Sequence, residues 1–204
     1  MTQTFATLKD IVLASGSPRR KRFLTEMGIA FRAQPSTSPE PVPAPGEKPE
    51  EYVLRTARAK VADVAARETG SVVIGADTIV VLDGEIIGKP ANPEHSLAML
   101  RRLSGATHTV FTACAAVFPD APEESTVVAS RVSMARYNDE ILRAYIRTGE
   151  PADKAGSYAV QGLGSFLVRE IHGSWTSVVG LPVAELLDIL LRHGCVAPRS
   201  GEMS

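Results

Sequence analysis

The sequence predicts a mixed α/β fold, one twisted sheet flanked by helices. Short β-branched runs alternate with helical stretches along most of the chain. Asp83-Gly84 lies between apolar residues, a strong hairpin signal. The strand-like runs Thr107–Phe118 and Thr126–Ala135, joined by a short connection, read as a second, antiparallel hairpin. Alternating strands and helices with hairpins added make a mixed sheet. The 204 residues, 44% hydrophobic and 22% charged, suffice for one domain with a real core, or one domain of two lobes.

Residues 1–9 contain no signal-peptide apolar region and are expected to be flexible. Ile11–Ala14 is the first strand, broken by Ser15-Gly16-Ser17. Ser17-Pro18 then starts a helix, a hydroxyl cap followed by proline at the first helical position, which runs to about Met27 and stops at Gly28. Strand, small polar loop and helix N-terminus form the arrangement that receives anions. Arg19 and Arg20 in the first turn oppose the helix dipole by about 0.3 kcal/mol each unless an anion sits there. A solvated basic helix start is the plainer alternative.

Ile29–Ala33 reads as a short strand. Residues 35–49 hold six prolines and must be a loop or flap, with Glu40 inside it solvated by default. From Pro49 to Glu68 the pattern is helical, with Val53, Thr56, Lys60 and Val64 at three- and four-residue spacing. Lys60 thus lies on or near the apolar stripe, where it either snorkels or points into a polar site. Ser71–Ala76 reads as a buried strand ending at Asp77, with Thr78 beside it. Ile79–Leu82 follows, then the Asp83-Gly84 turn and the return strand Glu85–Ile87, leading to Gly88-Lys89-Pro90. Asp77 and Lys89 therefore flank one hairpin at its open end. A carboxylate and an ammonium there suit a metal-bound phosphate, the acid for the cation and the lysine for oxygen charge. An ordinary hairpin with a surface ion pair reads the same.

Asn92-Pro93-Glu94 opens a helix that Gly105 closes, and Asn138 opens another through about Arg147. Residues 154–164, KAGSYAVQGLG, are a glycine-rich loop whose backbone approaches something closely. Gln161 within it either reads the edge of a base or bonds backbone. Ser165–Ile171 reads as a strand, residues 173–180 as a small-residue loop, and the last helix runs from Pro182 through Leu191 to Gly194. The domain is thus residues 10–194, with a flexible tail over 195–204.

A net charge of −1 argues against a general nucleic-acid coat protein, and the one dense basic run is Arg19–Arg22. Cys114 and Cys195 lie far apart without metal-ligand spacing, which fits a reducing cytosol and no zinc or disulfide framework. No apolar run reaches the roughly 20 residues of a membrane helix. His95, His108, His172 and His193 lack mutual ligand spacing and read as structural.

Five separated stretches, LASGSPRR, GADTIVVLDGEIIGKP, LSGATHTVFTA, DKAGSYAVQGLG and GSWTSVVGLP, resemble in order the motifs of the Maf family of nucleoside triphosphate pyrophosphatases. The resemblance spans about Asp10–Gly194. It implies a Maf/ITPase-like elongated sheet with a central cleft between two lobes. It implies hydrolysis of a nucleoside triphosphate to monophosphate and pyrophosphate with a divalent cation, Mg²⁺ or Mn²⁺. A homodimer is implied, with no nucleic-acid or membrane partner. By position, Ser15, Ser17, Arg19 and Arg20 match the phosphate-binding first loop, and Lys60 the lysine of the second helix. Asp77, Glu40 and Lys89 match the catalytic set, the two acids also holding the metal, and Thr78 and Gln161 complete the substrate-binding set. Arg19, Thr78 and Gln161 resemble the branch acting on dTTP and UTP; the branch acting on methylated guanosine triphosphates looks like SPWRR and GSDQ, with Glu in place of Gln161. An amide offers both donor and acceptor to the O4 and N3–H of uracil or thymine. Two departures stand out: Pro39 before Glu40, and Trp175 where tyrosine is frequent. The competing readings are a nucleotide-binding regulator of septum formation without turnover, and a nucleic-acid binder using Arg19–Arg22, which the near-neutral charge disfavours.

Overall fold

The structure, a computed structural model, describes residues 4–199. A seven-stranded mixed sheet runs in the order β3 (Arg32–Ala33), β2 (Ile11–Leu13), β4 (Val72–Leu82), β6 (Thr107–Val117), β7 (Glu124–Met134) and β8 (Val168–His172), with β5 (Glu85–Ile87) also on β4. β2 pairs parallel with β3 and β4, and the other pairings are antiparallel. The helices are α1 (Pro18–Glu26), α2 (Pro49–Ala65), α3 (Pro93–Leu103), α4 (Asp139–Arg147), α5 (Trp175–Val179) and α6 (Val183–Arg192).

β4 organises the molecule. It was expected as two runs meeting at Asp77; it is one strand of 11 residues passing straight through Asp77 and Thr78. β6 pairs along one of its edges from Val73 to Val81 without a break, which holds the strand extended. The other edge changes partner. β2 covers Val72–Ile74 and β5 covers Val80–Leu82, so residues 75–79 have no strand partner on that side. The Asp83-Gly84 turn takes positive φ at both residues, 51° and 81°, the backbone that a tight hairpin demands.

Alternation along β4 separates its faces. Ile74, Ala76, Val80 and Leu82 enter two apolar clusters on one face, one with α1 and α6, the other with α3 and α4. Val73, Ile79 and Val81 enter two clusters under α2 on the opposite face. On both faces the division falls at the same level. Thr78 interrupts the first face and Asp77 the second, so polar residues separate the two lobes. α2 comes very near the sheet because position 75 is glycine. A Cβ there would stand 2.6 Å from Val61 Cγ2.

Several expectations need correction. The ends do not simply fray: β1 (Phe5–Thr7) and β9 (Val196–Pro198) pair antiparallel, and Cys195 and Val196 are buried in the main core. Mutual hydrogen bonding satisfies both ends; residues 1–3 and 200–204 lie outside the described residues. Only Arg32–Ala33 of the strand expected over 29–33 forms a ladder. The strand expected from Ser165 begins at Val168, because Gly162–Leu167 coils into a 3₁₀ turn starting from Gly162 at φ 76°. The expected loop at 173–180 contains α5, capped by the Ser174 side chain accepting from the Ser177 N–H. No helix among the described residues is long and apolar enough to cross a membrane.

Candidate active site

The unpaired stretch of β4 opens into a cleft of about 480 Å³, a size suited to a small-molecule ligand. Loops and turns supply most of the walls, while Lys60 reaches in from the body of α2 and Asp77 and Thr78 from the middle of β4. Gly16, Ser17, Arg19 and Arg20 come from the β2–α1 turn, Glu40 from the proline-rich loop, and Lys60 from α2. Asp77 and Thr78 form the floor, Lys89 follows β5, and Gln161 comes from the glycine-rich loop. The residues proposed from sequence thus converge from distant positions, with one exception. Ser15 stands behind the wall, its hydroxyl receiving the Ser17 N–H at 3.2 Å and Arg20 Nη1 at 3.2 Å. It positions the turn instead of lining the cleft. Ser17 occupies the N-cap position of α1 yet makes no capping bond with its side chain. Its N–H is engaged by Ser15, which leaves this turn with fewer backbone donors for an anion than expected.

The electrostatics follow from burial. Lys60 Nζ donates to Asp77 Oδ1 at 2.6 Å and Glu40 Oε1 at 2.7 Å, gathering two carboxylates around one ammonium. Burial weakens the charge on Lys60, but the two acids outweigh it and hold the ammonium above the ordinary lysine range. Glu40 is exposed, and the bond from Lys60 keeps its carboxyl below the usual range. Asp77 is only 7% exposed. Its desolvation exceeds the pull of Lys60 and Arg20, so the carboxyl lies above an ordinary aspartate. Lys60 and Asp77 both shift upward, an apparent contradiction for an ion pair. The ammonium sees two acids, whereas the aspartate is more deeply desolvated and has Glu40 beside it.

Arg20 is held by neutral acceptors. Nε donates to the Gly180 carbonyl at 2.7 Å, and Nη2 lies 3.4 Å from Thr78 Oγ1. Burial pushes its guanidinium below the ordinary arginine value. No carboxylate among the described residues pairs with it, so this cation is oriented but not neutralised. Five cationic side chains, with Lys154 added to those already named, face three carboxylates, Asp153 being the third. A net positive cleft suits a polyanion. Thr78 is fixed from beneath by Thr112 Oγ1 at 3.0 Å, itself 2.7 Å from the Ser177 carbonyl.

Sequence reasoning missed Lys154, Tyr158 and Gly180 as cleft residues. The first two belong to the glycine-rich stretch already singled out, but nothing in their spacing distinguished them from their neighbours. Gly180 acts through its carbonyl, which no side-chain pattern reveals.

The model of the family described as Maf-like protein matches residues 10–193. The chain belongs to the Maf-like family. Among its Maf-like relatives, a protein of Nitratidesulfovibrio vulgaris named dTTP/UTP pyrophosphatase is 51% identical over 195 residues, covering 96% of this chain and 93% of that one. A relative of the same name from Oleidesulfovibrio alaskensis is 50% identical, covering 97% and 91%. Another, from Dictyoglomus thermophilum, is 44% identical, covering 91% and 97%. The Maf-like fold is also similar to a HAM1 protein from Coxiella burnetii, with TM-score 0.50, 16% identity and coverage of 91% and 100%.

Proposed function

We propose that this protein hydrolyses dTTP and UTP to the nucleoside monophosphate and pyrophosphate. The single observation that carries the proposal is Asp77, buried at the floor of a cationic cleft and joined to Glu40 through Lys60. The names of its relatives support the pyrimidine triphosphates as substrates. A triphosphate bears about four negative charges, which repel a nucleophile unless they are neutralised. Arg19, Arg20 and Lys89 bind its oxygens, Arg20 from a fixed orientation. Asp77 orients the attacking water and accepts its proton, a role suited to a carboxylate made more basic by burial. Attack at the α-phosphorus breaks the α–β anhydride bond, and pyrophosphate leaves.

The residues also fit a divalent metal. Two carboxylates already converge on one cation, the Lys60 ammonium. Mg²⁺ is commonly held by one or two carboxylates plus substrate phosphates, so no larger acidic cluster is required. Asp77 and Glu40 would hold the ion, Mg²⁺ or Mn²⁺, which when bound would screen the triphosphate and polarise its oxygens. Gln161 reads the pyrimidine, its amide matched to O4 and N3–H, and CTP presents the opposite pattern at that edge. The protein acts in the cytosol on free nucleotides, as a homodimer, which size-exclusion chromatography with light scattering would test.

The deciding experiment is pyrophosphate release from dTTP, UTP, CTP, GTP and ATP with magnesium, with manganese and with neither. We expect dTTP and UTP to be cleaved fastest, and only with metal. Asp77→Asn should lower turnover roughly 10²- to 10⁴-fold while remaining folded. Near wild-type turnover in that variant would remove Asp77 from the chemistry.

A further inference from the structure

Gln161 lines the cleft, and no hydrogen bond among the described residues ties up its side-chain amide. Its backbone, in contrast, is fixed on both sides. Two residues before it, the Ala159 N–H donates to Tyr145 Oη at 3.1 Å. Two and three residues after it, the Leu163 and Gly164 N–H groups donate to Glu150 Oε1 and Oε2 at 2.9 and 2.7 Å. The anchors are themselves joined, Tyr145 Oη donating to Glu150 Oε2 at 2.9 Å. Tyr145 is buried on α4, so the clamp is rooted in the core of one lobe.

The glycines of the loop are shaped to this clamp. A Cβ at Gly162 would stand 2.3 Å from Glu150 Oε1, and one at Gly164 would stand 2.5 Å from Tyr145 Oη. Gly162 also has φ 76°, a conformation that side chains other than glycine rarely adopt. The carboxylate and the phenol thus occupy space that any larger residue in the loop would take. A backbone fastened at both flanks fixes where the Gln161 amide projects into the cleft and leaves its polar atoms available to a ligand edge.

We propose that Tyr145 and Glu150 are specificity-positioning residues, which hold the Gln161 loop so that its amide meets the pyrimidine edge. Neither touches the substrate. The proposal rests on the reading above that Gln161 meets the base. Both oxygens of Glu150 accept, and a carboxamide offers an acceptor on one side only. Glu150→Gln therefore places an N–H against an N–H and loosens one flank. Tyr145→Phe keeps the ring and removes the bonds to Glu150 and Ala159.

The test compares kcat/KM for dTTP, UTP and CTP in wild type, Glu150→Gln, Tyr145→Phe and Gln161→Ala, with thermal unfolding of each. We expect kcat/KM for dTTP and UTP to fall roughly 10- to 100-fold in both clamp variants, the cost of a displaced positioning group, while CTP changes little. The selectivity ratio should collapse, as is also expected of Gln161→Ala. Loss of stability alone would lower all three substrates in proportion and leave the ratio intact. A ratio that collapses in Gln161→Ala but holds in both clamp variants overturns the clamp. A ratio that survives Gln161→Ala removes base reading by Gln161, and the clamp's role with it. Where Glu150→Gln fails to fold, the milder Tyr145→Phe decides alone.

Discussion

Lys60 concentrates the electrostatics of the site in one side chain. It bonds a buried acid and an exposed one, and its own side chain is 20% exposed against 9% for Asp77. Removing one partner of a largely buried pair leaves the other charge uncompensated, which typically costs about 3–5 kcal/mol. We therefore expect Lys60→Met to be less stable than wild type at neutral pH by about 3 kcal/mol, and Lys60→Met with Asp77→Asn to recover most of the loss. Urea denaturation of the four proteins checks this; simple additivity would show the pair to be energetically idle. His108 gives a second residue-scale prediction. It is 2% exposed, its Nε2 lies 2.8 Å from Tyr158 Oη, and its buried Nδ1 has no partner among the described residues. Burial lowers its pKa from 6.5 to about 4. The unfolded chain then takes up the proton first, so this contribution to stability is complete above the unfolded value and is lost as pH falls toward 4. The loss approaches about 3 kcal/mol. His108→Leu should flatten the stability difference between pH 7 and pH 4.5; an equal loss in both proteins would refute the assignment.

At the scale of elements, β4 and α2 must approach closely for Lys60 to reach Asp77. Gly75 allows this, since a methyl group there meets Val61. Gly75→Ala should overpack the contact by about 1–3 kcal/mol and also lower turnover by shifting α2 off the strand. Unchanged melting temperature and kcat would show that α2 has slack at this contact. Most elements were legible in the sequence for local reasons. Asn92 and Asn138 cap α3 and α4 with their side chains, and Asp83-Gly84 takes the positive φ values its dipeptide favours in a tight turn. The continuity of β4 was not legible. Asp77 and Thr78 break the apolar pattern, and only the pairing with β6 makes them strand. α5 was hidden for the converse reason, because a helix of only five residues has too little periodicity to read.

At the scale of the whole molecule, the cleft is the seam where β4 exchanges β2 for β5 and where each face passes from one apolar cluster to the next. The chain ends are part of this body, since Cys195 and Val196, the first residue of β9, enter the larger core and β9 pairs with β1. A chain ending at Gly194 loses the burial of two side chains, each worth about 1.5–3 kcal/mol for a residue the size of valine. It should melt several degrees lower, with the cleft chemistry retained wherever it stays folded. Identical melting curves would return the ends to the flexible role that their composition suggested.

The sequence by itself determined the alternation of strands and helices, the hairpin, the capped helix starts and the identity of the chemical groups, because these depend on neighbours within a turn or two. It also carried the family likeness, in motifs that are local strings. The tertiary structure alone decided which carboxylate is buried, that one ammonium joins both acids, that Ser15 stands behind the wall, and that Tyr145 and Glu150 fasten the Gln161 loop. The first two rest on contacts between residues far apart in the chain, set by packing on β4, and the others depend on how a turn or loop is folded back on its neighbours, which no short-range pattern encodes.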